Sequence, residues 1–276
     1  MPTRISGMKL HMITAGVGST QWRLAGRRLG RQAHRSHWFS SVESYHTESL
    51  RALIPEFFRH NSKFIGDNSR GYGYWLWRPY LLLNRVKALK ADEVVVFLDA
   101  GCESNINSFS GKRLLDYVDI AKDSGLCVMR TPYLLTSWCK KDTLEVFDVP
   151  DNSNIRTVEP GVFFLTRSKQ NISLLEDWID LARKKNYHHL DDSPSISPNL
   201  ASFIEHRHDQ SLLTAMLMDR PETAIEQETY FPNNSWRTAG AEYPLWVVRN
   251  PHPFLHESGE VTSVAYGKLR KVLKGH

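Results

Sequence analysis

The stretch Asp92-Glu93-Val94-Val95-Val96-Phe97-Leu98-Asp99-Ala100-Gly101-Cys102-Glu103 decides how the rest of the chain is read. A strand with one wet face alternates apolar and polar residues. Val94–Leu98 does not alternate. An unbroken β-branched and aromatic run of this length is the pattern of a strand buried on both faces. The run stops abruptly at Asp99, so a carboxylate emerges where the sheet ends. In open α/β sheets ligands bind beyond the carboxyl ends of the strands. A partly desolvated carboxylate is costly unless a cation or hydrogen-bond donors meet it. Asp99 is therefore the first candidate for a site; capping of the following turn is the alternative use of the same residue.

The segments on either side alternate strand and helix. Leu10–Val17 reads as a first strand ending in the glycine-containing turn Gly16-Val17-Gly18, with Ser19-Thr20 placed to cap a helix over 21–31. A short strand over 37–45 and a helix over 47–61 follow, the latter on the stripe Leu50, Leu53, Ile54 and Phe57. After the turn-rich 66–71 comes an aromatic block, Tyr72-Gly73-Tyr74-Trp75-Leu76-Trp77-Arg78-Pro79. It runs into a helix over 80–90, with Pro79 in the first turn, where proline is tolerated. Beyond Asp99 the reading is helix 111–121, strand 126–129, helix 141–147, strand 162–165, helix 170–184, a polar proline-containing loop 188–199, and a helix within 205–219. Short strands are expected at 224–228 and 246–249, and a basic amphipathic segment at 265–273. Such alternation predicts an α/β fold: a mixed, mainly parallel sheet flanked by helices.

The composition fits one globular domain. The 276 residues are 41% hydrophobic and 24% charged, with a formal net charge of +5 and a sequence pI near 9.0. This mild basicity carries no nucleic-acid motif, and no nucleic-acid partner is expected. It fits a basic phosphate cleft, a membrane-facing surface or plain solvation. Cys102, Cys127 and Cys139 are odd in number and widely spaced, which gives neither a disulfide framework nor a paired metal motif. Buried thiols and a reducing, cytoplasmic location follow. No signal peptide or spanning run of apolar residues is read, so any membrane contact is peripheral, through the basic C-terminus.

Two further segments concentrate chemistry. The rings of 72–79 are suited to stacking on a base or sugar, and Arg78 to a forked phosphate contact; packing of the next helix is the alternative for Trp75 and Trp77. Glu205-His206-Arg207-His208-Asp209-Gln210-Ser211 precedes an apolar helix, and a plain N-cap at Asp209 or Ser211 competes with any functional role. His252 and His256 stand alone near the C-terminus.

Taken in order, these segments resemble the GT-A glycosyltransferases over roughly residues 8–256. Val94–Asp99 with Ala100-Gly101 is similar to that family's strand followed by Asp-x-Asp. Glu159-Pro160-Gly161-Val162-Phe163-Phe164-Leu165 resembles its Asn/Glu-x-Gly-Val strand. His208-Asp209-Gln210-Ser211-Leu212-Leu213 resembles the Asp-Gln helix start of retaining enzymes related to glycogenin and bacterial galactosyltransferases. Gly71–Pro79 looks like the Gly-Tyr-Gly-x-Trp-x-Trp-Lys-Pro element of bacterial and fungal sugar transferases of this superfold.

The resemblance implies a single GT-A, Rossmann-like domain over 1–276. Its nucleotide-binding half would be 8–105 and its acceptor-side half 106–260, with a basic tail over 261–276. It implies transfer of a sugar, expected to be a hexose, from a UDP- or GDP-sugar to a hydroxyl of a saccharide, lipid-linked or protein acceptor, as in polysaccharide biosynthesis. Thr14 and Gly16 would lie by the base and ribose. Tyr74, Trp77 and Arg78 would flank the donor. Asp99 and Gly101 would occupy the Asp-x-Asp positions, Glu159 and Gly161 would line the sugar side, and Asp209 and Gln210 would sit at the reacting carbon. A Mn2+ or Mg2+ ion would be held by Asp99, with Glu103 and His256. One position departs: Gly101 stands where the family has its second acid, which puts metal dependence in question and leaves a catalytically degenerate sugar-nucleotide or glycan binder as the alternative. Asp209 is the candidate base for an inverting reaction. Asp209 with Gln210 would instead stabilise the sugar cation in a retaining one.

Overall fold

The computed structural model of the protein describes residues 9–251. A six-stranded sheet carries strands in the order β2 (Ser41–Tyr45), β1 (Lys9–Ala15), β3 (Glu93–Leu98), β6 (Arg156–Thr166), β5 (Leu126–Leu134) and β7 (Ala224–Glu226). β1 pairs in parallel with β2 and β3, and β5 in parallel with β7. β6 is antiparallel to both its neighbours, β3 and β5, and within this sheet it alone is reversed. The mixed, mainly parallel sheet expected from the sequence is present. Val94–Leu98 lies at its centre, buried along its length on both faces.

Helices cover both faces. α1 (Thr20–Ser36) and α6 (Ser110–Ser124) pack one face, where Leu29, Ala33, Leu114, Tyr117 and Val118 meet Met12, Val94, Val96 and Phe164. On the other face lie α2 (Thr47–Leu53), α3 (Pro55–Asp67), the four-residue turn α4 (Gly71–Tyr74) and α5 (Trp77–Ala88). They are joined there by α9 (Lys169–Tyr187) and α10 (Asp209–Met216); Phe57, Leu81, Trp178 and Leu213 close over Ile13, Val95, Phe97 and Phe163. The short α7 (Leu135–Trp138) and α8 (Lys141–Val146) form a third cluster with Leu135, Cys139 and Leu144. β4 (Glu103–Ser104) pairs with β8 (Leu245–Trp246) in a two-stranded ribbon beyond the end of β3. The three cysteines are buried and free. Among the described residues no helix is long and apolar enough to cross a membrane.

Several elements differ from the sequence reading for physical reasons. The expected helix 47–61 is two helices, because Pro55 ends α2 at the preceding turn and starts α3 as its first residue. The strand expected at 162–165 runs from Arg156 to Thr166, its first half carrying the polar Arg156, Thr157 and Glu159. The helix expected within 205–219 is only Asp209–Met216; the residues before it belong to the loop from His188. The segment 265–273 and the tail from 261 lie outside the described residues.

Candidate functional site

Arg78 is the hub of the site at the carboxyl end of β3. As the second residue of α5 it reaches the sheet edge, where its Nη2 donates to both oxygens of Asp99, at 2.8 and 3.0 Å. Its Nη1 is ion-paired with Asp209, the first residue of α10. The guanidinium side chain is 1% exposed and packs against the rings of Phe97 and Trp77, with Cζ 5.5 and 5.7 Å from their centres. A charge this far from water is stable only while its counter-charges are in place; breaking such a buried pair costs about 3–5 kcal/mol. The two carboxylates differ in access: Asp209 is sealed, whereas the Asp99 side chain is 32% exposed.

A third carboxylate joins them through an irregularity in β6. Val128 pairs with Phe163 but Met129 with Glu159, so Pro160–Val162 bulges out of the β5 ladder while Val162 still pairs with Leu98. The bulge folds back on itself, with Gly161 N–H donating to Glu159 Oε1 at 3.0 Å. Asp99 N–H donates to Gly161 O at 2.9 Å. A Cβ at position 161 would stand 3.0 Å from both Asp99 Oδ2 and Glu159 Oε1, so glycine is what lets the two carboxylates approach there. Burial, and then the Asp99 charge, push the Glu159 carboxyl above its ordinary range, against the lowering pull of Arg249, the Gly161 N–H and Arg78. A carboxyl that holds its proton longer than usual, beside the part-exposed Asp99, is suited to acid–base work.

Thus Arg78, Asp99, Glu159, Gly161 and Asp209 converge. Other expected residues are placed differently. Thr14 is fully buried inside β1, and its hydroxyl has no hydrogen-bond partner. Gly16 serves the backbone: its N–H donates to Tyr45 O at 2.9 Å, and a Cβ there would lie 2.0 Å from Trp22 O in the first turn of α1. Trp77 presents no free ring face. It is buried against Phe97, and its Nε1 donates to Gly71 O at 3.0 Å. Tyr74 is stacked on His208 at 4.3 Å and donates its hydroxyl to Asp192 at 2.8 Å. For Trp77, the packing alternative is the one the structure adopts. Gln210 Nε2 donates to Val158 O at 2.9 Å, tying α10 to the strand that carries Glu159. His252 and His256 lie outside the described residues.

The residues after Asp99 do not fit a divalent cation. Gly101 is roofed by backbone, since a Cβ there would lie 3.1 Å from Arg249 Cα and 3.3 Å from Arg249 C. Glu103 faces elsewhere: its Oε1 accepts from Asn250 Nδ2 at 2.9 Å and lies 4.0 Å from Arg28 Nη1. Asp99 already has the Arg78 guanidinium as its counter-charge. Among the described residues no three His, Cys, Asp or Glu side chains converge on a metal position. The proposed replacement of the missing acid by Glu103 is therefore corrected, because Glu103 serves the Arg28–Asn250 cluster.

Sequence reading missed Arg28, Arg249 and Asn250. Arg28 looks like one of many basic residues on α1, yet it is buried and donates to Ala100 O, Cys102 O and Asn250 O at 3.2, 2.8 and 3.1 Å. Spacing along the chain gives no signal for a contact this remote; only the closing of the last segment onto the Ala100–Cys102 turn creates it. A separate cleft of about 360 Å3 opens between α1 and β2, lined by Arg27, Arg31, His34 and Arg35, and has no carboxylate among its lining residues.

No protein-family model matches the chain, and no curated protein sequence does. Solved structures of similar shape include mouse xyloside xylosyltransferase 1 in its apo form, at 14% identity over 86% of this chain and 97% of that one, with a TM-score of 0.46. A glycosyltransferase involved in glycosylation of the major capsid of PBCV-1 is 9% identical over 96% of this chain and 99% of that one, with a TM-score of 0.45. The galactosyltransferase LgtC in complex with donor and acceptor sugar analogs is 11% identical over 95% of each chain, with a TM-score of 0.49. Likeness at this level assigns no residue a role.

Proposed function

We propose that the protein is a glycosyltransferase that moves a sugar from a nucleoside-diphosphate sugar to an acceptor hydroxyl. The observation that carries this reading is the gathering of Asp99, Glu159 and Asp209 around Arg78 at the ligand-binding edge of the sheet. With the carboxylates ionised and Arg249 at the rim, the cluster is net negative by one charge. A preorganised, part-buried site of that sign favours the positive charge that develops on a sugar ring as its leaving group departs.

In the proposed reaction the bond from the anomeric carbon to the diphosphate oxygen breaks, and the nucleoside diphosphate leaves with the bonding pair. A new bond forms from that carbon to the acceptor oxygen. The acceptor proton passes to Glu159, the carboxyl with the raised proton affinity. Asp99, the exposed partner of Arg78, faces the donor. Asp209, the candidate base for an inverting reaction and a stabiliser of the sugar cation in a retaining one, is sealed against Arg78; with Gln210 it acts as a positioning residue for Arg78 and for the strand bearing Glu159. A UDP- or GDP-sugar is the proposed donor, and a saccharide hydroxyl the proposed acceptor.

Thermal melting of the full chain with UDP-, GDP- and CMP-sugars tests the donor assignment. Saturating UDP- or GDP-sugar is expected to raise Tm by roughly 5 °C or more. Indifference to all three classes would refute the assignment.

A further inference from the structure

Arg249 lies over Gly101, the position at which the resemblance expects a second acid. Its backbone roofs Gly101, with φ of 52°, a left-handed conformation that side-chain-bearing residues rarely adopt. The position is fixed from several directions. Asn250 N–H donates to Gly101 O at 2.9 Å, and Asn250 Nδ2 to Glu103 Oε1 at 2.9 Å. Arg28 spans Ala100 O, Cys102 O and Asn250 O from beneath. A buried guanidinium and a buried carboxylate are thus committed to holding one exposed residue, Arg249, over the turn that follows Asp99. The Arg249 residue is exposed beside the turn that follows Asp99, and its charge lowers the proton affinity of Glu159.

We propose that Arg249 is the residue that meets the diphosphate of the donor, and that the protein binds nucleoside diphosphates without a divalent cation. This rests on the reading of the protein as a nucleotide-sugar transferase. The chemistry is direct. A diphosphate brought beside three carboxylates needs a cation between them. Arg78 cannot provide it, being buried and already shared by Asp99 and Asp209. The turn after Asp99 offers a metal no carboxylate at Gly101, which lies against the Arg249 backbone. A guanidinium matches phosphate oxygens with two parallel donors and stays charged at every accessible pH. It also gives the negative charge somewhere to go as the sugar bond breaks.

Calorimetric titration of the full chain with UDP and with GDP decides the matter, run in EDTA and again in Mn2+. The expected result is one affinity for the preferred nucleotide in both buffers. Arg249→Gln is expected to weaken it about 10- to 100-fold, and Arg249→Lys to restore part of the loss. Because the Arg249 side chain is exposed, both variants should melt like the parent, which separates lost binding from lost fold. Binding that appears only with Mn2+, or an Arg249→Gln variant that binds like the parent, overturns the inference and leaves the transferase reading standing. No binding of either nucleotide in either buffer overturns both.

Discussion

Gly161 shows how much of a site can depend on an absent side chain. It lets Asp99 and Glu159 close to the distance at which the Asp99 charge raises the cost of ionising Glu159, while its own N–H offsets part of that cost. The raised Glu159 carboxyl has a consequence for stability whose sign is fixed. When the folded value lies above the unfolded one, folding is favoured at low pH, and the benefit is lost as pH rises past the unfolded value and through the folded one. Ionised Glu159 is therefore a cost at neutral pH. Glu159→Gln, whose side-chain oxygen can still accept from Gly161, is expected to melt above the parent at pH 7.5. The advantage should fade as pH approaches the ordinary glutamate range of about 4.3. Equal melting at both pH values would count against the raised carboxyl. At this scale the sequence pointed to Asp99, Glu159 and Asp209 as residues. It did not reveal which carboxyl is open and which is sealed, because that depends on Arg78 arriving from another element.

Two elements lead into the site, one just before Arg78 and one just before Asp209. Gly71, Tyr72, Gly73, Tyr74 and Trp75 all have positive φ, so α4 is a left-handed turn. Each non-glycine residue there costs about 1–2 kcal/mol, which the burial of Tyr74 and the hydrogen bond from Trp77 to Gly71 O help to offset. The aromatic block was readable as a special element, but ring composition does not say whether a ring faces a ligand or the core, and Trp77 faces the core. The second element is the loop from His188 to His208. Burial alone would raise Asp142. Donation from the backbone N–H groups of Ile196 and Ser197 and from His188 outweighs that and holds it well below the usual carboxylate range. Burial lowers His189 and His208 to about 4, and lowers His206 further below its ordinary value. The unfolded imidazoles titrate near about 6.5. As pH falls from there towards 4, the unfolded chain takes up protons that the folded loop refuses, so stability declines. The Asp142 clasp keeps its charge through that window. Melting temperature is expected to fall across it, with hydrogen exchange rising first in 188–208; a flat profile would contradict the buried, neutral histidines.

For the whole molecule, the unbroken run Val94–Leu98 was enough to read a strand covered on both faces, and the strand–helix alternation around it pointed to the fold; its place within the sheet order came from the structure. Beyond local pattern the sequence fell silent. The reversal of β6 brings Glu159 to the same edge as Asp99, and it is a property of sheet order. The closing of Arg249-Asn250 onto Gly101 joins the far end of the described chain to its centre, through a buried arginine that looks on the page like any other basic residue of α1. The site is thus assembled from α5, β3, β6, α10 and the segment after β8, and only the folded sheet makes it one place. Turnover of the preferred nucleotide sugar by the parent and by Asp99→Asn tests that assembly most directly. If this edge performs the transfer, the variant should stay folded, because Asp209 still pairs with Arg78 and the part-exposed asparagine keeps a hydrogen-bonding oxygen, while losing a factor of roughly 100 or more in turnover; an Asp99→Asn protein that transfers sugar at the parent rate would contradict the account.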